Sequence, residues 1–297
     1  MGNETSQPPL NIEKLYGQQI DDYKLKEILK HCSTGNIYVA HDTRNDCDVS
    51  FKVFSTSKAT DEERQRFVRA MQSAIPLKQE NIVRIYKAGI KSGYCWIAMQ
   101  YVDGESLAVV IERVGIKGML TWQQVWKVAI DITLALKAAG EHDIIHRNVT
   151  PTNILQRSSD KVCLLNDFAI AKPLSGKFAL SVTVAGELIG ELPYMAPERT
   201  RVGGTIDTRS DIYGLGATLY ALLTGRPPAT GNSQEDLLKN IRGGEPESTR
   251  RYQLAVDEDF DEIVMKMIAK PLENRFQSPS VLLDELHRLG KNHNLSP

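Results

Sequence analysis

Residues 210–225, SDIYGLGATLYALLTG, carry apolar side chains on nearly every side of a helix rather than along one stripe. A helix with so little polar face has to be enclosed by other elements. The stretch therefore predicts a buried central helix, and it demands enough chain around it to supply the neighbours. At 297 residues the chain has that material, as one large domain or two coupled lobes.

The texture on the N-terminal side of this helix changes partway. From Tyr23 to Gln100 short β-rich runs dominate, IYVAHD, DVSFKVF, IVRIYKAG and YCWIAMQYV, separated by turns or polar links. One helix interrupts them: in TDEERQRFVRAMQSA, Thr60 and Glu63 form a capping box, and Phe67, Met71 and Ala74 recur at helical spacing. After Asp103-Gly104 the chain reads as helical. TWQQVWKVAIDITLALKAAG opens on a second capping box, Thr121 with Gln124, and Gly140 is positioned to close it. SPSVLLDELHRL starts with Ser278 as cap and Pro279 at the first helical position. A small β-rich lobe followed by a larger helical lobe is expected, with polar tails at 1–18 and 291–297.

Charge and cysteine usage narrow the function classes. A net charge of −1 offers no footprint for wholesale nucleic-acid or anionic-membrane binding. No apolar run reaches the roughly 18 residues of a membrane span. The four cysteines form no C-x-x-C pair, which argues against a zinc site or a disulfide framework and fits a cytoplasmic location. Gly2 and Ser6 match the short myristoylation pattern M-G-x-x-x-[ST], and a polar tail accounts for the same letters.

Several motifs follow one another in order: Lys52 ending the strand VSFK, then HRNVTPTN, DFA, APE, SDIYGLG and NRF. Their order and spacing resemble the protein-kinase fold, most closely the bacterial-type Ser/Thr protein kinases, over roughly residues 20–290. The resemblance implies an α+β bilobal architecture: a small β-rich lobe at 19–99 with one main helix, a hinge at 100–102 and a larger helical lobe at 103–290. It implies ATP with Mg²⁺ as cofactors. Gln100 and Val102 stand at the hinge, and Met99 guards the nucleotide pocket.

The same resemblance shows where this chain departs from the pattern. In KHCSTG, Lys30 and Cys32 take two of the glycine slots of the phosphate-covering loop, and Gly35 alone remains; a backbone without Cβ is what allows close approach to phosphate oxygens. Lys52 matches the lysine that grips the α- and β-phosphates, but the glutamate that should hold it is replaced by Ala70. Asn148 stands at the catalytic base, and a neutral amide cannot accept the substrate hydroxyl's proton. Thr150 replaces the lysine that neutralises the transferring phosphoryl, and Glu191 replaces a threonine expected to contact both positions. A carboxylate at Glu191 is either a displaced base or a plug of the peptide cleft. Asn153 and Asp167 match the two metal ligands. His146, Arg147, Glu198, Asp211 and Arg275 match scaffold positions: Glu198 and Arg275 as a buried ion pair, Asp211 as the acid that caps the catalytic-loop backbone. Ala169 replaces the glycine after Phe168.

Architecture retained beside altered chemistry implies a pseudokinase, a regulatory or scaffolding module. The alternatives are a weak or atypical ATP-dependent Ser/Thr kinase and an ATP-binding sensor without turnover. The expected partner is a protein, either an active kinase or a phosphothreonine reader, acting on the segment that holds Ser175, Ser181 and Thr183.

Overall fold

The computed structural model of the chain describes residues 15–32, 35–54, 59–117, 119–167, 191–201 and 203–296. They fall into two units. The first takes the described residues up to Lys78 together with Arg84–Val102; the second takes Gln79–Val83 and the described residues from Asp103 onward.

The first unit is built on an antiparallel sheet of six strands in the order β1-β2-β3-β4-β6-β5. These are β1 (Gln19–Ile20), β2 (Tyr23–Cys32), β3 (Gly35–Asp42), β4 (Cys47–Phe54), β5 (Ile85–Lys91) and β6 (Tyr94–Gln100). Alternation along β4 sorts its side chains by face. Val49, Phe51 and Val53 join one core cluster, where Phe51 and Trp96 stack and Tyr23 meets the first ring tilted and the second edge-on. Phe54 leaves by the other face and meets Phe67 of helix α1 (Asp61–Ala74) with ring centroids 4.8 Å apart. Helix α1 starts as its sequence demands: Thr60 Oγ1 accepts the Glu63 N–H at 3.2 Å, and Glu63 accepts the Thr60 N–H at 2.7 Å.

Where the N-terminal tail was expected to run to residue 18, Leu15 is 1% exposed and belongs to the core cluster. The Gly17 N–H donates to the Leu25 carbonyl and the Leu25 N–H to the Gln18 carbonyl, both at 2.9 Å. The polar letters around Leu15 hid an apolar anchor, and β2 holds its segment by backbone bonds.

Gln79–Val83 sits with the second unit because its hydrogen bonds lead there. Val83 N–H donates to the Leu165 carbonyl, Leu165 N–H to the Asn81 carbonyl, and the Asn81 amide to the Cys163 carbonyl, at 3.0, 2.7 and 3.0 Å.

In the second unit, α3 (Trp122–Gly140), α4 (Thr208–Thr224), α6 (Glu258–Met267) and α7 (Pro279–Asn292) pack together. With them are α2 (Leu107–Lys117), α5 (Gln234–Gly243) and a three-stranded sheet of β7 (Gly104–Ser106), β8 (Ile154–Arg157) and β9 (Cys163–Leu165). Every residue of α4 from Ser210 to Thr224 is buried, as its unbroken apolar surface requires. Asp207 caps its start, and Gly225 ends it in the left-handed conformation (φ 72°), returning its N–H to the Ala221 carbonyl at 2.8 Å. A Cβ on Gly214 would lie 2.5 Å from the Val149 carbonyl oxygen, so this glycine lets α4 press against the loop after α3.

Two helix ends differ from expectation. Gly140 is the last residue of α3 and does not close it; Glu141 caps in the right-handed conformation (φ −63°) and Asp143 takes the left-handed one (φ 56°). Aspartate tolerates that conformation because its short polar chain can bond locally. At the C-terminus, helix α7 runs through Asn292 rather than yielding to a tail at 291. His293 then meets the Trp122 ring edge-on, with its Nε2 3.3 Å from an Asp257 oxygen. Among the described residues no helix is long and apolar enough to cross a membrane.

Candidate functional site

The loop between α3 and β8 carries the residues singled out in HRNVTPTN. Its start is fixed through the backbone. Asp211, in the first turn of α4, accepts the N–H groups of His146 and Arg147 at 2.8 and 2.6 Å. Arg147 takes a left-handed conformation (φ 67°), which turns the chain at this point. The fully buried His146 ring bridges outward: Nδ1 accepts the Asn148 N–H at 3.2 Å and Nε2 reaches the Asn166 carbonyl at 2.7 Å. Only the neutral ring protonated on Nε2 satisfies both contacts. Burial pushes the imidazole down to about 4, against the Asn166 carbonyl, which favours the proton. Burial likewise pushes the Asp211 carboxyl up to about 7, against the two N–H donors.

The next residues are held through side chains. Glu191 accepts the Asn148 amide at 3.0 Å and the Thr152 hydroxyl at 2.9 Å, with the Thr150 hydroxyl at 3.5 Å. Thr150 and Thr152 also bond to each other at 2.9 Å. The three positions expected to touch, Asn148, Thr150 and Glu191, are thus brought together. Thr152 completes the cluster, and sequence reasoning missed it; the signal was a second hydroxyl two residues after Thr150, which the short 3-10 helix Pro151–Asn153 brings against the first. The Glu191 carboxylate is not turned away from Asn148. Its hydrogen-bond donors among these residues are neutral, and the Arg199 guanidinium lies within electrostatic range of it.

Asn153 is buried, and its amide nitrogen donates to the Asn148 carbonyl at 3.0 Å. Its carboxamide oxygen has no donor among the described residues, so it remains an oxygen ligand a hard cation can use. The Asn166 N–H donates to the Asn153 carbonyl at 2.8 Å, which brings the neighbouring Asp167 (φ 62°) close to it in the chain path.

In the first unit, β4 runs two residues past Lys52, whose side chain is 5% exposed, with Nζ 5.1 Å from the centre of the Phe54 ring. Ala70 lies in α1, whose only carboxylates, Asp61, Glu62 and Glu63, belong to its first turn. Glu63 is already engaged in the capping box. No later turn of the helix offers an acid to orient a lysine. Gly35 begins β3, and a Cβ there would come 1.8 Å from the Val53 carbonyl oxygen. Strand packing alone requires glycine at that point, with or without a phosphate. Lys30 and Cys32 are strand residues of β2, paired with Ile37 and Gly35. Gln100 ends β6, its N–H on the Arg84 carbonyl at 2.8 Å, and Val102 is the last residue of the first unit. Gly2, Ser6, Phe168, Ala169, Ser175, Ser181 and Thr183 lie outside the described residues.

The buried anchor is an ion pair. Arg275, with no exposed side-chain surface, grips both oxygens of Glu198 at 2.9 Å. Its remaining donors reach the Ala269, Lys270 and Arg209 carbonyls. Ser210 also donates to Glu198, at 2.6 Å. Burial alone would raise the Glu198 carboxyl, but these partners outweigh it and hold the group below the usual range.

Residues 23–286 match the family model of the protein kinase domain. The chain belongs to the protein kinase family, and its fold is the kinase fold of a curled β-sheet lobe and a helical lobe. It is 34% identical over 284 residues to the serine/threonine-protein kinase PknB of Mycobacterium tuberculosis, a match covering 93% of this chain and 44% of that protein. Against the serine/threonine-protein kinase PrkC of Bacillus subtilis the identity is 32%, covering 89% of this chain and 40% of that one. The chain therefore spans less than half the length of these curated relatives. A crystal structure of the Mycobacterium tuberculosis PknI kinase domain superimposes with a TM-score of 0.69 at 25% identity, covering 94% of this chain and 98% of that one. Members of this family use ATP with Mg²⁺.

Proposed function

We propose that this chain is a protein-kinase homologue working as a binding and regulatory module, with phosphotransfer lost or very weak. The observation that carries the reading is the pairing of the Asn148 amide with the Glu191 carboxylate at 3.0 Å. In an active relative the residue at 148 would take the proton of the acceptor hydroxyl, and a neutral amide has no basic site for it. Loss of a general base costs about 10²–10⁴ in rate. Thr150 brings no positive charge, and Glu191 adds a negative one beside it, so an incoming anionic phosphoryl group meets repulsion where it needs neutralisation. The absence of an acid beyond the first turn of α1 removes the partner that sets Lys52 in active kinases.

Nucleotide binding without turnover is compatible with the residues that remain. Lys52 would meet phosphate oxygens, and the Asn153 carboxamide oxygen with the Asp167 carboxylate would hold Mg²⁺, which supplies charge neutralisation when bound. A partner acts on the segment containing Ser181 and Thr183, either a kinase that phosphorylates it or a phosphothreonine reader that docks there.

A weak-kinase reading is favoured by one observation, the Glu191 carboxylate lying beside Asn148 with the acid needed for a displaced base. Against it, that carboxylate already accepts from Asn148 and Thr152.

A phosphotransfer assay separates these readings when paired with a thermal-shift titration in ATP and Mg²⁺. Relatives with intact machinery turn over at about 1–100 s⁻¹. We expect this chain to fall well below about 0.1 s⁻¹. Faster transfer that disappears in Lys52→Ala would overturn the proposal, and its loss in Glu191→Ala as well would establish the displaced base. A melting shift that Asp167→Ala abolishes, without transfer, identifies a nucleotide sensor.

A further inference from the structure

Away from the catalytic loop, the anchor contains a cation that the ion pair does not use. Tyr213, deep in α4, carries two positive side chains on one ring. The Arg275 guanidinium lies 4.8 Å from the ring centre and the Lys270 Nζ lies 5.5 Å from it. The two cations are also linked through the backbone, since Arg275 donates to the Lys270 carbonyl at 3.0 Å. Arg275 occupies both oxygens of Glu198, and the nearby Asp207 carboxylate is held by Arg209. Lys270 is half-buried, donates to the Tyr213 hydroxyl at 3.2 Å, and has no carboxylate within ion-pairing distance among the described residues. Lys87 and Lys26, by contrast, each hold an aspartate.

We propose that Lys270 is a nucleophilic amine and a site of N-acylation by acyl phosphates or similarly activated carboxylic acids. Partial desolvation together with a neighbouring guanidinium is the environment that turns a lysine into a nucleophile, because both disfavour the ammonium form. The neutral Nζ attacks the carbonyl carbon of the acyl phosphate. The N–C bond forms, and the C–O bond to phosphorus breaks. Inorganic phosphate leaves with the electron pair, and the surplus amine proton passes to phosphate or water. The product amide keeps one N–H to offer the Tyr213 hydroxyl and removes a charge that opposed Arg275. Acylation is therefore compatible with the intact Glu198–Arg275 pair. Burial first, then Arg275, lowers the Lys270 amine to about 8, in keeping with this geometry.

The test is acetyl phosphate labelling of the folded full chain, with occupancy at each lysine read by peptide mass spectrometry. Exposed Lys239 and Lys291 serve as internal references. At pH 7.5 Lys270 is expected to label about tenfold faster than the references. Its rate should level off above pH about 8. Labelling of Lys270 at or below the reference rate overturns the proposal. So does a Lys270 rate that keeps climbing well above that pH. Thermal denaturation of the acetylated protein supplies a second reading: an unchanged or slightly raised melting temperature is expected, and a fall of several degrees would show that the ammonium is a structural cation.

Discussion

Two carboxylates grip the loop from His146 to Asn153, and they do so by different means. Asp211 is buried and accepts the backbone N–H groups of His146 and Arg147. Glu191 is half-buried and accepts the side chains of Asn148, Thr150 and Thr152. A backbone N–H is present whatever residue carries it, so the first grip tolerates change in the loop's side chains. The second exists only because three side chains and their acceptor are mutually suited. Architecture and chemistry can part company at neighbouring positions because they rest on these two kinds of donor.

The contrast breaks first if the buried anchor proves cheap to remove. Replacing Arg275 by Ala leaves Glu198 buried without its counter-charge, and loss of one partner of such a pair costs about 3–5 kcal/mol. Urea denaturation of Arg275→Ala should show this loss, or the variant should fail to accumulate as folded protein. A loss under about 1 kcal/mol would put the anchor in the class of surface ion pairs.

The Asp211 grip has a pH signature. His146 is held neutral down to about 4, whereas an unfolded imidazole binds its proton near its ordinary value of 6.5. Between these values the unfolded state holds the extra proton, so this group makes stability rise with pH and lowers it on acidification. Asp211 acts in the opposite sense. Its folded carboxyl stays protonated up to about 7 against an ordinary value of 3.8, so its contribution is full at low pH and is lost as pH rises. The two slopes offset each other in the native chain between about pH 4 and 6.5. Asp211→Asn removes one of them. Its stability should rise with pH more steeply than that of the native chain, by up to about 1.4 kcal/mol per pH unit. Equal slopes would mean that the Asp211 carboxylate is ionised throughout.

Smaller effects belong to the Glu191 cluster. Glu191→Ala should cost about 1 kcal/mol or less, because Asn148 and Thr152 can turn to water and Thr150 retains its bond to Thr152. Phosphotransfer should not increase in this variant, since Asn148 still lacks a base. Thr152→Val keeps the shape and deletes one donor to Glu191; a loss of a few tenths of a kcal/mol to about 1 kcal/mol is expected in the same denaturation assay. A larger cost for Thr152→Val than for Asp211→Asn would reverse the comparison.

Much of this molecule was legible from local pattern. The enclosure of α4 followed from its apolar surface, and the starts of α1, α3 and α7 followed from Thr60, Thr121 and Ser278, because capping is decided within four residues of chain. Motif order also led to the kinase family. Local pattern could not say that Leu15 would anchor the first strands, since an apolar residue in a terminal segment acquires meaning only from the core it enters. Nor could it say that Gln79–Val83 would bond to β9, that Thr152 would join Glu191, or that Lys270 and Arg275 would share one tyrosine ring. Those contacts link residues from 5 to more than 80 positions apart, and such pairings are set by how elements pack rather than by what any one segment prefers. The sequence by itself determined the buried central helix, the starts of three others, the order of the motifs and the amide at Asn148. Tertiary structure alone decided which of the remaining charges found partners, because a charge's partner is a matter of distance in the folded chain.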